Sequence, residues 1–203
     1  MLRRSQIDIE KSDIFALIIY SLAETMMMKK RLLQQLFICI IASFCFAASL
    51  GAQENKKLTG TPIGSPNVDY STGQSSSTVN TLANAFDGKT NTFYASLNRS
   101  NTWVGLDLGT PHVITRVGWA PRSGQPGRVR LGLFEGANKE DFTDAVPLYL
   151  IPSVGTNGVV EHADVRVSRG FRYVRYVGPN DARCNIAEVE FYGHEGVGDD
   201  SQF

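Results

Sequence analysis

Cysteine is scarce in this chain: there are three among 203 residues, Cys39 and Cys45 within one apolar N-terminal stretch and Cys184 alone in the body. A single body thiol closes no intramolecular disulfide and supplies no cysteine zinc knuckle, so both scaffolds are excluded. An excess of charge is also missing. Twenty Lys and Arg balance twenty Asp and Glu; the first 52 residues hold 6 and 4 of them, leaving 14 basic and 16 acidic side chains for the rest. That balance presents no general polyanion-binding surface, and no nucleic-acid partner is expected. Long apolar runs are lacking too. The longest, Leu36 to Ala48, has 13 residues broken only by Ser43, short of the roughly 20 that a spanning helix needs.

What that short run does have is a setting. Lys29, Lys30 and Arg31 precede it, and Ser49, Gly51 and Ala52 follow, the charged, apolar, small-residue order of a secretory signal. Residues 26–52 are therefore read as a signal peptide cleaved after Ala52. The mature chain is expected to be exported, to a periplasm, a cell surface or the medium, with no transmembrane span of its own. Upstream, residues 1–25 place charges and a second apolar patch ahead of the signal and then meet Met26, Met27 and Met28. They are expected to be a spurious extension of a reading frame that starts at one of those methionines.

Residues 53–61 read as a linker, part of a polar Ser-, Thr-, Gly- and Pro-rich stretch that reaches about Ser77 and includes a first edge strand near Pro62 to Ser65. Short runs rich in β-branched and aromatic residues follow: Trp103 to Leu108, Val113 to Ala120, Arg128 to Phe134, Leu148 to Ile151, Val159 to Val167, Phe171 to Val177 and Ile186 to Tyr192. A run about every ten residues is the pattern of an all-β sandwich or barrel. In the last run Ala187, Val189 and Phe191 alternate with Glu188, Glu190 and Tyr192, as a half-buried strand requires. Thr78 to Phe86 and Asn138 to Phe142 have room for no more than a helical turn. The sandwich is assigned to residues 62–194. The acidic, glycine-bearing residues 195–203 read as a linker, with a missing C-terminal domain as the implied partner.

The loop Asn84-Ala-Phe-Asp87-Gly88-Lys89-Thr90-Asn91-Thr92 gathers oxygen donors around a glycine turn. Hard cations such as calcium take six to eight oxygens from carboxylates, hydroxyls and backbone carbonyls, although Asp-Gly is foremost a turn dipeptide.

These residues also carry a resemblance. Ala85-Phe-Asp87-Gly88 with Asn91-Thr-Phe-Tyr-Ala-Ser96, then Trp103-Val-Gly-Leu-Asp-Leu-Gly109, Ile114-Thr-Arg-Val117, Phe171-Arg-Tyr-Val-Arg175 and Ala187-Glu-Val-Glu-Phe-Tyr-Gly193 follow the order and spacing of the discoidin, or coagulation factor five/eight type C, domain. That family overlaps the family 32 carbohydrate-binding modules of bacterial exported proteins, and the resemblance covers about Ile63 to Gly193. It implies a galactose-binding-like fold, an eight-stranded jelly-roll-like β-sandwich with ligand loops at one end. It also implies a structural Ca2+ held by the carbonyls of Asn84, Lys89 and Ala187, the carboxylates of Asp87 and Glu188, and Thr92.

Sugars need planar donors for their hydroxyls and an aromatic face for their C–H surfaces. Arg122, in the Pro-Arg pair where related sugar-binding modules place an arginine, supplies the first. Phe93 and Tyr94 are the candidates for the second; one ring is expected to point to the core, where the family usually has Trp at the Tyr94 position, leaving Phe93 as the better exposed platform. Arg99, Asn180 and Arg183 are further polar candidates in adjoining turns. The expected function is a non-catalytic carbohydrate-binding module that tethers an exported protein or a fused partner to a glycan or polysaccharide. The alternative is an adhesion domain for a protein or lipid surface, but the loops Arg122 to Arg128 and Pro179 to Asn185 lack the apolar tips that membrane insertion needs. A hydrolase needs paired carboxylates in a cleft. Asp107, Glu135 and Asp164 lie in or beside strands without a surrounding motif, so no enzymatic activity is expected. Arg166, Arg169, Arg172 and Arg175 read as a sheet face neutralised by Asp164 and the last-strand glutamates.

Overall fold

The structure, a computed structural model, describes residues 11–48 and 55–198. The chain divides into two units, Met1–Gln53 and Glu54–Phe203. Within the first, helix α1 spans Lys11–Ala48; no glycine or proline interrupts that stretch, and either would have weakened it. The helix runs unbroken through Met26, Met27 and Met28, so the boundary drawn there is not one of secondary structure. Among the described residues no helix is long and apolar enough to cross a membrane. The expected cleavage after Ala52 and residues 1–10 lie outside the described residues.

Among the described residues the second unit contains eight strands: β1 Lys56–Lys57, β2 Thr61–Gly64, β3 Trp103–Pro121, β4 Leu133–Ala137, β5 Val146–Leu150, β6 Glu161–Asp164, β7 Gly170–Val177 and β8 Ile186–Glu195. All pair antiparallel in one continuous sheet, with β1-β8-β3-β7-β4-β5 in order and β2 and β6 also on β3. The sheet closes into two layers because β3 serves both. Residues 103–107 of β3 pair with β7, and residues 104–107 with β2 on the other edge. Residues 112–121 pair with β8, flanked on the far edge by β6. The register breaks between Asp107 and His112, where Gly109 takes a φ of 78° that a side chain would resist. The two strands expected at 103–108 and 113–120 are thus halves of one bent strand.

Between the layers lies the main core, which includes Tyr94, Val104, Ile114, Trp119, Phe134, Phe171, Tyr176, Val189 and Phe191. Phe134 of one layer meets Phe191 of the other edge-on at 5.7 Å between ring centroids, and packs on Tyr176 at 5.4 Å, near the distances aromatic pairs prefer. A smaller cluster, Ala137, Phe142 and Tyr173 with Trp103, forms separately.

Several sequence boundaries shift. Lys56 and Lys57, assigned to the linker, pair with Gly193 and Tyr192, and Leu58 is buried, so the sandwich begins before residue 62. At the other end Glu195 still pairs with His112, Gly196 N donates to the Pro111 carbonyl, and Val197 O accepts from Gly170 N. The start of the strand expected at Arg128 is instead a 3-10 turn, Pro126–Val129, because Pro126-Gly127 favours a turn. The helical turn near Thr78 to Phe86 contracts to Leu82–Ala85.

Candidate functional site

At one end of the sandwich β3 finishes and β8 begins, with Pro121 opposite Ile186 and Tyr94 bridged to Ile186. Loops converge there. Arg122 leaves β3 directly, and its carbonyl accepts from Gln125 N at 2.9 Å, a turn that brings Arg128 round on the 3-10 segment. The loops at residues 96–101 and 179–185 are tied together: Ser96 N donates to Arg183 O, Arg183 N to Arg99 O, and Asp181 N to Ser100 Oγ at 3.0 Å. Asp181, Arg183 and Cys184 all hold left-handed φ values of 61°, 57° and 44°, local strain of the kind that collects at binding loops. A third loop presents Tyr70, fixed by Asp69, whose Oδ1 accepts from Ser71 N at 2.8 Å.

These loops enclose an open cleft of about 460 Å3 lined by Tyr70, Arg99, Arg122, Arg128, Asp181 and Arg183. The Arg122 guanidinium lies 3.9 Å above the Phe93 ring centroid and 5.4 Å from that of Tyr70. Both distances lie within the range where a ring attracts a cation. Arg183 donates to the carbonyls of Ser96 and Leu97. Arg99 pairs with Asp181 at 3.2 Å, both largely exposed, so water screens that pair.

A second charged cluster occupies the outer face of β8. Glu188 is fully buried: its Oε1 lies 3.1 Å from Lys57 Nζ, and its Oε2 accepts from Gly88 N at 3.0 Å. Lys57 also reaches Glu190 at 2.7 Å, and Glu190 Oε2 meets His162 Nε2 and Tyr192 Oη, each at 2.8 Å. Gly118 makes this possible, since it lies between His162 on one side and Glu190 on the other; a Cβ there would sit 2.9 Å from both side chains. Burial pushes the Glu188 carboxyl above its ordinary value despite Lys57. For Glu190 burial acts the same way but is outweighed by Lys57, His162 and Tyr192, and its value is lowered. Burial opposes the Lys57 ammonium, yet hydrogen bonds to Glu190 and Glu188 hold its value up.

The Asp87 loop abuts this cluster through Gly88, whose φ of 75° suits glycine. Asp87 accepts from Thr92 Oγ1 at 2.8 and 3.0 Å and from Lys89 N at 2.9 Å, and Lys89 O accepts from Thr92 at 3.3 Å. Register slips between Ala120 and Pro121, so Ala187 has no opposite residue on β3, a bulge that withdraws it from the ladder. The Asn84 side chain is taken up by Thr81 at 2.6 Å, which leaves its carbonyl as the group to consider. Among the described residues no three His, Cys, Asp or Glu side chains gather as a metal cluster. What the structure does show is Thr92 held on Asp87 and the loop tied to Glu188 through Gly88 N, with Lys57 as the cation beside Glu188; carboxylate, hydroxyl and carbonyl oxygens are the donor types a hard cation takes.

The F5/8 type C domain family matches residues 69–190, more than half of the chain. The chain belongs to this family. Among solved structures it is similar to CBM62 from Clostridium thermocellum Xyl5A, with 43% identity and a TM-score of 0.64 over 70% of this chain and 99% of that one. At 20% identity it shares the fold of a fucolectin from striped bass, Morone saxatilis (TM-score 0.56, 67% of this chain and 47% of that one). The same is true of chitosan-binding module 1 from the chitosanase/glucanase of Paenibacillus sp. IK-5 (20%, TM-score 0.50, 67% and 96%). No curated protein matches.

Within this F5/8 type C domain the cleft unites Arg99, Arg122 and Arg183, with Phe93 under Arg122. Tyr94 is corrected: it is fully buried, its hydroxyl donates to Ser65 O at 2.7 Å, and burial raises its pKa far above the ordinary value, so it is core rather than platform. Asn180 is exposed beside Asp181 but outside the lining. Tyr70 and Arg128 escaped the sequence reading. An aromatic in a polar loop behind a turn-forming Asp was the available signal for Tyr70, and Pro126-Gly127 the signal that Arg128 precedes its strand. Cys184 is a buried thiol directed at Tyr176 O at 3.7 Å. The arginine face is matched differently from expectation: Arg172 with Asp107, Arg175 with Glu135 and Arg169 with Asp144, while Asp164 lies 3.9 Å from Arg116. His162 finds a carboxylate partner in Glu190.

Proposed function

We propose that this domain is a non-catalytic carbohydrate-binding module of an exported protein, holding that protein or a fused partner to glycans through the cleft around Arg122. The observation that carries this reading is the Arg122 guanidinium stacked 3.9 Å over Phe93 with Tyr70 beside it. One site thereby offers a fork of donors, with Tyr70 as the aromatic ring in the cleft lining and Phe93 as the support beneath the guanidinium. The 43% identity to a carbohydrate-binding module supports it. Asp107, Glu135 and Asp164 each lie against an arginine, an arrangement suited to structure rather than acid–base work. A glycan array probed with the protein tests the reading: binding to a defined set of glycans is expected, and silence across the array would overturn it.

The Asp87 loop is assigned a structural Ca2+, with Asp87, Thr92 and Glu188 and the carbonyls of Asn84, Lys89 and Ala187 as its ligands. Bound there, the ion would add a tie between the early loop and the last strand. Ca2+ at a hundredfold excess over its dissociation constant stabilises by about 2.7 kcal/mol. Its addition to chelator-treated protein should raise Tm, and no shift would dismiss the ion. Export rests on the residue order of 26–52; mass spectrometry of the processed protein should find a start near Gln53.

A further inference from the structure

The arginines of the sandwich divide by partner. Arg99, Arg116, Arg169, Arg172 and Arg175 each lie within 4 Å of a carboxylate. Arg122, Arg128, Arg130, Arg166 and Arg183 make no ion pair among the described residues; Arg183 is taken up by the carbonyls of Ser96 and Leu97, and Arg122 and Arg128 line one cleft with it. Its single lining carboxylate, Asp181, is already paired with Arg99. In a segment with more acidic than basic residues, this local surplus of guanidinium groups is not a reflection of overall charge.

Hydrogen-bond inventory points the same way. A neutral sugar hydroxyl both donates and accepts, so a site for it needs acceptors as well as donors. Four of the six lining side chains are arginines, which only donate. The Tyr70 hydroxyl already accepts from Asn185 at 3.3 Å. An ionised carboxylate or sulfate only accepts, and guanidinium forks meet such groups with short, charge-assisted bonds. The cleft volume lies within the range of ligand pockets, with the positive groups placed where a surface concavity concentrates their field.

We infer that the cleft selects glycans bearing a negative charge, a uronate or a sulfated sugar, with the anion held by Arg122 and Arg128. The inference rests on the glycan-binding reading and gives it a ligand class. Titration calorimetry at low salt should compare an oligogalacturonate with a neutral galactan oligosaccharide of equal length, and with a sulfated galactan oligosaccharide. The charged ligands should bind at least tenfold more tightly, and the advantage should shrink as NaCl rises toward 1 M, where screening is strong. A preference for the carboxylate or for the sulfate names the source of the anion. Arg128→Gln should lower affinity for the favoured anion at least fivefold more than affinity for the neutral sugar, with Tm recorded to confirm folding. Equal or better binding of the neutral oligosaccharide overturns the anionic selection and leaves carbohydrate binding standing. Failure of all three ligands, together with a silent glycan array, overturns both.

Discussion

Arg172 and Arg122 are the same side chain in two kinds of surroundings. Arg172, on β7, grips Asp107 with two hydrogen bonds of 2.9 Å, and its neighbour Arg175 holds Glu135 at 2.7 Å while lying 4.1 Å over the Phe142 ring. Arg122, one residue beyond β3, lies over two rings and makes no ion pair among the described residues. The first arrangement completes its charge balance within the fold. In the second, packing fixes the cation and leaves its hydrogen-bonding edge for something outside the chain. Partnered charge completes the scaffold here, and in the proposed function the oriented but unpartnered charge is the part that serves recognition.

The harshest test of the partnered side is Lys57. Its ammonium faces both Glu188 and Glu190, and removing one member of a buried charge cluster costs more than the cluster itself contributes, because the remaining charges stay desolvated. Lys57→Met should lower unfolding free energy by about 3 kcal/mol in urea titrations. Added Ca2+ should recover part of the loss if the ion takes over charge balance at Glu188. Unchanged stability would mean these glutamates are neutral or hydrated, and the contrast with the cleft would collapse.

Next comes the unpartnered side. Arg122→Ala should weaken glycan binding by about 1.5 to 3 kcal/mol, the usual worth of a charge-assisted hydrogen bond. Stability should fall by no more than about 1 kcal/mol, the scale of the lost ring contact. Calorimetric titration with paired melting curves separates the two. A variant that unfolds would place Arg122 with Arg172 as scaffold, and full retention of binding would move the site to another loop.

Acid should find the partnered side as well. The Arg172 hydrogen bonds hold Asp107 below its ordinary value of 3.8. A depressed carboxylate contributes stability that is complete above its unfolded value and is lost as pH falls through the folded one. Glu190 has the same sign, whereas Glu188, raised by burial, is relieved by acid and opposes the trend. Stability should therefore decline below about pH 4, and Asp107→Asn should flatten part of that decline at a cost of about 1 kcal/mol at pH 7. An acid limb identical in the variant would remove this pair from the account.

Much of the scaffold was legible in the sequence because strand alternation and turn residues are local signals. The inward set Ala187, Val189 and Phe191 and the turn at Gly88 are both where the residues put them. Charge pairing was not legible. Arg172 finds Asp107 across 65 positions and Lys57 finds Glu188 across 131, so only the layered topology decides who neutralises whom. The same limit hid part of the cleft: Arg99, Arg122 and Arg183 could be named from the sequence, but Tyr70 and Arg128 become relevant only when separate loops meet.

The smallest expected effect is also the most local. Gly118 lets His162 reach Glu190 across the middle strand, and an added Cβ would stand 2.9 Å from the ends of both side chains. Those ends can swing, unlike a backbone atom, so Gly118→Ala should part the pair without displacing β6 or β8. Glu190 would keep Lys57 at 2.7 Å and the Tyr192 hydroxyl at 2.8 Å. Replacing glycine in a strand also recovers part of the loss by restricting the unfolded chain. The net change should be about 1 kcal/mol or less, and Gly118→Ala combined with Glu190→Gln should cost less than the two separately. Strict additivity would show that His162 contributes nothing through Glu190. A loss above about 3 kcal/mol would show instead that the backbone itself is crowded, and that the glycine serves strand packing rather than the charge balance of this face.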